Sequence, residues 1–402
     1  MSTCDKLVCV DNIPEEPEKL FLGDSGKFLR IDQTFHKVFK NLYEKAFADF
    51  WTHKVVDFSK DRSGWLELDD KAKRIFLLNN GYQSLMDSGV VGVYNELLTV
   101  ASNTEMSIAY LYIAQNESIH AMSYSYGLDQ MFAGKAKENI DIVYHDPMIQ
   151  KRLKSEVDFI EEFKQARTLY FNKNKKWINY YIEEEGIELN GYSIDDYLKQ
   201  NILKVIFAAY YLEHVKFPFS FATTWSINEG YNNGIQGFSQ LLKLIAYDEL
   251  TTHAPTNANV LKILMRDPDQ GFIHLKDWFQ NFAIEYIKEQ QQNEFEWIEY
   301  LFKDGGINGL TEESSKHFVK YMIDKTLRDI SMEPLYDEKK SDLINWFNSY
   351  YDINNQLNAS QEMSNISYQK GNVLNNLHMK KTLETINNNV HNILKLFIKK
   401  EN

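Results

Sequence analysis

Cysteine is almost missing from this chain: two in 402 residues, Cys4 and Cys9, both among the first ten. That excludes a disulfide framework, and one C-x4-C pair offers too few ligands for a zinc site. Reduced thiols in the cytoplasm are the simplest reading. Proline (7) and glycine (18) are also scarce, so little interrupts long helices. No stretch reaches the roughly 18–20 apolar residues that span a bilayer. Asp5, Asp11, Glu15 and Glu16 break any apolar core of a signal peptide. No long basic run precedes the last residues and the formal charge is −13, so most of the surface repels a nucleic-acid backbone. A soluble cytoplasmic protein is expected, with neither nucleic acid nor membrane among its partners.

What is present is apolar periodicity. Hydrophobic residues make up 44% of the chain, enough for one large core or two modest domains. Residues 1–30 read as an irregular segment. Helical spacing begins at Ile31–Phe50 and recurs over Asp70 to about Gly89, Thr104–Phe132, about 145–172, Ser193 to about Ile227, Gly234 to about Leu264, 271–303 and 311–331; an aromatic-rich stretch, Ser341–Tyr351, follows. Asp69 and Ser193 stand where N-caps belong. Asn190-Gly191 between alternating apolar residues predicts one short β-hairpin over 187–194. Pro218 should bend or bulge its helix. From 352 the chain turns Asn-rich, which predicts a flexible tail to 402. At its end Leu383, Ile386, Val390, Ile393, Leu394 and Phe397 form a basic amphipathic segment.

The chemistry is centred on Gln115–Tyr124. Glu117 and His120 are three apart and share a helix face, with Tyr124 one turn further on. Other helices carry Asp87, Glu213 and Glu249 among apolar neighbours, where an unpaired carboxylate is expensive. His253 is four residues beyond Glu249. Each has a bland alternative: a solvent-facing acid for Asp87, a satisfied core or surface residue for either histidine, core packing for Phe217 and Phe221. Together, the order acid, Glu-x-x-His, acid, Glu-His on four helices matches the ferritin-like carboxylate arrangement. Four carboxylates and two imidazoles suit a pair of iron or manganese ions. A phenol beside an oxygen-reactive metal pair can be oxidised, and Phe217 and Phe221 could shield it. The expected fold is all-α: a ferritin-like helical bundle with extra helices and the hairpin, spanning 31–351.

From about Glu16 to Tyr368 the chain resembles the small, radical-generating subunit of class I ribonucleotide reductase. The resemblance is carried by Phe50-Trp51, Tyr82–Ser88, Glu117–Tyr124, Leu212–Phe217, Ile245–Glu249, Leu301–Gly305, and Gln361-Glu362 before Ser367-Tyr368. It implies a homodimer with two oxo-bridged iron ions, or manganese in their place. Asp87, Glu117 and His120 would hold one metal and Glu213, Glu249 and His253 the other, with Glu117 and Glu249 able to bridge. Tyr124 would be the stable tyrosyl radical. Trp51, bonded to Asp248 and through it to His120, would relay an electron. Tyr368, with Glu362 nearby, would pass the radical to the large subunit of a ribonucleoside-diphosphate reductase.

The sequence departs from that pattern in three places. Glu249 and His253 are four apart where three is usual, and Thr252 takes the expected histidine position. A π-bulge would absorb the added residue, and Pro255, which cannot donate to the Thr251 carbonyl, favours one. Tyr247 stands where relatives commonly carry Arg. The end, Lys395–Asn402, is basic where relatives have an acidic, apolar segment. A helix in a groove of the large subunit is one reading of that end, membrane-surface contact another. Two other classes of function compete: a ferritin-like oxidase or oxygenase acting on its own substrate, and a metal-storage protein. Trp51, Asp248, Glu362 and Tyr368 are needed only if a radical leaves the subunit.

Overall fold

The computed structural model describes residues 18–23, 34–172, 178, 182–183 and 186–351. Its centre is a pair of 29-residue helices, α3 (Asp70–Leu98) and α4 (Thr104–Phe132). A short connection folds α4 back along α3. The expected cap at Asp69 is formed, accepting from the Ala72 N–H, and Asn103 caps α4 by accepting from the Met106 N–H, both at 2.7 Å. Such caps are worth about 1 kcal/mol each. Helix α3 outlasts its expected end near Gly89 by more than two turns. Val90, Val93, Tyr94 and Leu97 keep the helical period and are buried, so core packing outweighs the cost of Gly89 and Gly92.

Helix α1 (Lys37–Ala48) lies on α4, and α2 (Asp61–Glu67) leads into α3. Helices α5 (Ala136–Tyr144) and α6 (Pro147–Phe171) follow; α6 starts at Pro147 behind an Asp146 cap. The remaining two long helices of the bundle are each interrupted once. Helix α7 (Ile194–Tyr211) passes through a wide π turn, Leu212–Lys216, into α8 (Phe217–Gly230). Helix α9 (Gln236–Asp248) passes through a second, Glu249–His253, into α10 (Ala254–Arg266). In both, the residue after the turn bonds five back: Phe217 N–H to the Leu212 carbonyl and Ala254 N–H to the Glu249 carbonyl. In both, a proline follows at once, Pro218 and Pro255, where an ordinary ladder would require an N–H. The two wide turns pack against each other. Helices α11 (Lys276–Leu301), α12 (Glu312–Asp329) and α13 (Asp342–Tyr351) complete the body.

The hairpin is a correction. Asn190 and Gly191 both take positive φ (49° and 83°), and Tyr192 N–H bonds the Leu189 carbonyl at 2.8 Å, so the turn itself forms. No strand flanks it among the described residues, because Ser193 already caps α7 through the Asp196 N–H. One residue is left for a second arm. β-Structure among the described residues is confined to two isolated bridges, Phe21 with Ala101 and Ile307 with Leu310. No described helix is long and apolar enough to cross a membrane. Cys4, Cys9, Glu362, Tyr368 and the basic end segment lie outside the described residues.

Candidate metal centre

Asp87 from α3, Glu117 and His120 from α4, Glu213 from the first wide turn, and Glu249 and His253 from the second are all fully buried. Glu117, His120, Glu249 and His253 each offer a ligand atom, and these atoms lie within 4.8 Å of one another. The pattern of contacts is specific. Glu249 turns Oε1 to His120 Nδ1 (3.1 Å) and Oε2 to His253 Nδ1 (3.2 Å). Glu117 does the same, with Oε2 3.4 Å from His120 Nδ1 and Oε1 3.0 Å from His253 Nδ1. Each carboxylate therefore faces both imidazoles, whose rings lie 5.5 Å apart. Asp87 Oδ2 is 3.9 Å from His120 Nδ1. Glu213 is close enough to feel the charges of Glu249, His253 and Glu117.

The wide turn explains the 249/253 spacing. It brings His253 back onto the Glu249 face, and it turns Thr252 away: the Thr252 hydroxyl donates to the Asp248 carbonyl at 2.7 Å. Thr251 and Thr256 bond back in the same way to the carbonyls of Tyr247 and Thr252, satisfying acceptors around the irregular turn.

Several of the atoms that converge here have no hydrogen-bond partner: both Asp87 oxygens, Glu117 Oε2, Glu249 Oε1 and His120 Nδ1. Buried orphans of this kind are costly. Burial, and then the neighbouring Glu117, pushes Asp87 far above the usual carboxylate range; burial, and then Glu249, does the same to Glu213. Burial works against a charged His120, but Asp248, Glu117 and Glu249 outweigh it and pull the imidazole well up. His253 is likewise raised, against burial, first by Glu249. Neighbouring carboxylates contribute to all four shifts, second to burial for the two acids and against burial for the two histidines. Oxygen donors with two imidazoles fit divalent iron or manganese, so these residues could hold a metal pair that balances the charge.

His120 is oriented from behind. Its Nε2 lies 3.2 Å from Asp248 Oδ2, which accepts from the Trp51 indole N–H at 2.6 Å, and the Trp51 ring stacks on the imidazole at 5.6 Å. With its Nε2–H donating to Asp248, His120 would present Nδ1 to a metal ion on the carboxylate side. Tyr124 is fully buried and its hydroxyl has no hydrogen-bond partner. Burial, then Asp87, holds that phenol firmly protonated. Phe217 and Phe221 are fully buried and pack ring to ring at 5.7 Å, continuing to Trp225. Tyr247 accepts from Lys45 Nζ at 2.8 Å, and Thr251 Oγ1 takes a second Lys45 contact at 2.6 Å.

Three supporting residues escape a reading of the sequence. The Tyr94 hydroxyl donates to Glu213 Oε1, and Asn257 Nδ2 donates to Glu213 Oε2 (3.0 Å) and to the Tyr94 oxygen (2.7 Å). Asn116 Nδ2 donates to Asp248 Oδ2 at 2.9 Å, and lies 3.2 and 3.3 Å from Nε2 of His120 and His253. Their signal was spacing: Tyr94 is seven residues beyond Asp87, Asn257 four beyond His253, Asn116 four before His120.

Residues 31–342 match the family described as ribonucleotide reductase, small chain. Among curated proteins, the ribonucleoside-diphosphate reductase subunit beta of Enterobacteria phage T4 is 24% identical over 87% of this chain and 91% of its own length. The subunit beta of Buchnera aphidicola subsp. Schizaphis graminum is 27% identical over 89% and 92%. Among solved structures, a ribonucleotide reductase R2 subunit from Clostridium botulinum superposes with a TM-score of 0.71 at 19% identity, covering 86% of this chain and 98% of that one. A dimanganese(II) NrdF from Streptococcus sanguinis superposes with a TM-score of 0.59 at 20% identity, covering 81% and 99%.

Proposed function

The chain belongs to the ribonucleotide reductase small-chain family, and on that premise we propose that its metal pair serves to make a radical at Tyr124 for use by a large subunit. The observation that carries the reading is the double facing of Glu117 and Glu249 toward both histidines. On this reading Asp87, Glu117 and His120 would hold one ion and Glu213, Glu249 and His253 the other, with Glu117 and Glu249 placed to serve both. Iron is the assigned metal, and manganese is its rival. When bound and reduced, the pair supplies electrons to dioxygen and the oxidising power that removes an electron and a proton from a phenol.

The protein's own residues define what happens around it. Tyr124 enters as a neutral phenol in a dry core, so the radical once formed is kept from water; Phe217 and Phe221 extend that apolar shell. Trp51 and Asp248 connect His120 toward the α1 side of the molecule and are the electron's way in and out. Glu362 and Tyr368 then carry the radical to the large subunit, where a ribonucleoside diphosphate is reduced. A subunit that exports an electron needs the Trp51–Asp248–His120 contact; an oxygenase working on its own substrate does not. The active small subunit is a homodimer. Exposed Phe47 on α1 and Leu111 and Met122 on α4, two helices that pack together, supply apolar surface for it.

Metal analysis combined with EPR on protein given ferrous iron and oxygen tests the proposal. A metal pair with a tyrosyl signal that vanishes in Tyr124→Phe is expected. A signal that persists in that variant would overturn the assignment.

A further inference from the structure

Between α3, α6 and α7 lies a cavity of about 130 Å3, lined almost wholly by apolar side chains. Its walls adjoin the metal centre in sequence and in helical phase. Met86 and Leu212 line it, and the next residue in each case is a carboxylate of the centre, Asp87 and Glu213. Val90 follows Asp87 by three residues and Ala209 precedes Glu213 by four, so each shares a helix face with that acid. At the other end stand Gly89, which is exposed, and Val157, which is 54% exposed. Glu156 is the one charged residue of the lining, and it is already held by Lys216 Nζ at 2.5 Å.

We propose that this cavity admits and holds dioxygen on its way to the metal centre. The inference rests on the reading of the centre given above. An apolar space of this size, with no free hydrogen-bonding group, is poorly hydrated and takes small apolar guests. It refuses ions, since a bare charge in such a lining finds no compensation. Dioxygen is the small apolar reactant that the centre consumes. A dry entrance delivers it without opening a path for water to Tyr124. Gly89 is suited to a test at the mouth: a methyl group there would meet no atom within 4 Å, so a larger side chain can be placed at the entrance without a clash.

The test plugs the mouth without disturbing the core. Gly89→Leu adds bulk where there is space and improves helix propensity, so metal content should be unchanged and Tm no lower. Gly92→Leu, also in open space but outside the cavity lining, is the control. Xenon-pressurised crystals of metal-free protein should show xenon in the cavity of the parent and of Gly92→Leu, and lose it in Gly89→Leu. In ferrous-loaded protein the second-order rate with oxygen should fall by about an order of magnitude in Gly89→Leu alone. Xenon absent from the parent's cavity, or an unchanged oxygen rate in Gly89→Leu, overturns the proposal. If the loaded parent does not consume oxygen at all, the reading of the centre fails, while the xenon result still decides whether the cavity takes an apolar gas.

Discussion

The Trp51 indole and the His120 imidazole meet on one oxygen: Asp248 Oδ2 accepts from Trp51 Nε1 at 2.6 Å and lies 3.2 Å from His120 Nε2. A residue at the end of α1's loop is thereby joined to the interior of α4 through the last residue of α9. Burial works against the Asp248 charge, but the contact with His120 holds its carboxyl below the usual range, so it stays an acceptor.

Trp51→Phe removes the donor to Asp248 and an oxidisable indole while keeping an aromatic in place. Metal content should match the parent, and nucleotide reduction with the large subunit should drop to background. Metal analysis beside a coupled activity assay separates the two. A variant that turns over normally would remove Trp51 from the electron route.

His253→Ala and Thr252→Val distinguish the two candidates for the second imidazole position. The first should lose metal from the Glu213 side, leaving roughly half the parental content as expected when one ion of a pair loses its nitrogen ligand. The second removes only a hydroxyl that already serves the Asp248 carbonyl, and metal content should not change. The reverse outcome would mean that Thr252 stands in the ligand position.

Tyr94→Phe removes one of two buried donors to Glu213, leaving Asn257. Loss of a partner of this kind typically lowers metal affinity by about 10–100-fold. Competition with a chelator reads the affinity. Asn257→Leu should act in the same direction, since Asn257 holds both the Tyr94 oxygen and Glu213. An affinity unchanged in both variants would leave the pair with a packing role only.

Metal uptake should release protons. Asp87 and Glu213 are raised by burial and neighbouring acids, and His120 and His253 are raised by the carboxylates around them. The metal-free centre therefore holds protons that cations displace, so affinity should fall as pH falls. Calorimetry in buffers of different ionisation enthalpy measures the number released. A heat independent of buffer would show a centre already deprotonated.

Much of this was legible in the chain because buried helices carry a period and buried acids break it. Asp87, Glu213 and Glu249 stand out among apolar neighbours and Glu117 by its spacing to His120, and the structure buries all four. Pro255 marked the wide turn. The failures were local competitions that a one-dimensional pattern does not weigh. Gly89 looked like a helix end, yet tertiary packing carries α3 to Leu98. Asn190-Gly191 makes its turn, but the Ser193 cap takes the residues a second strand would use. Tyr94, Asn116 and Asn257 look like ordinary tyrosine and asparagine until the third dimension shows what they hold.

The second wide turn also sets the phase of everything after it. One residue advances an α-helix by about 100°. Had the added residue between Glu249 and His253 been taken up by regular helix, all of α10 would be rotated by that amount. Asn257 would swing off Glu213 and Tyr94, and Leu261 and Leu264, now buried, would be carried out of the core. The turn thus confines a change of chain length to the metal centre and hides it from the rest of the molecule.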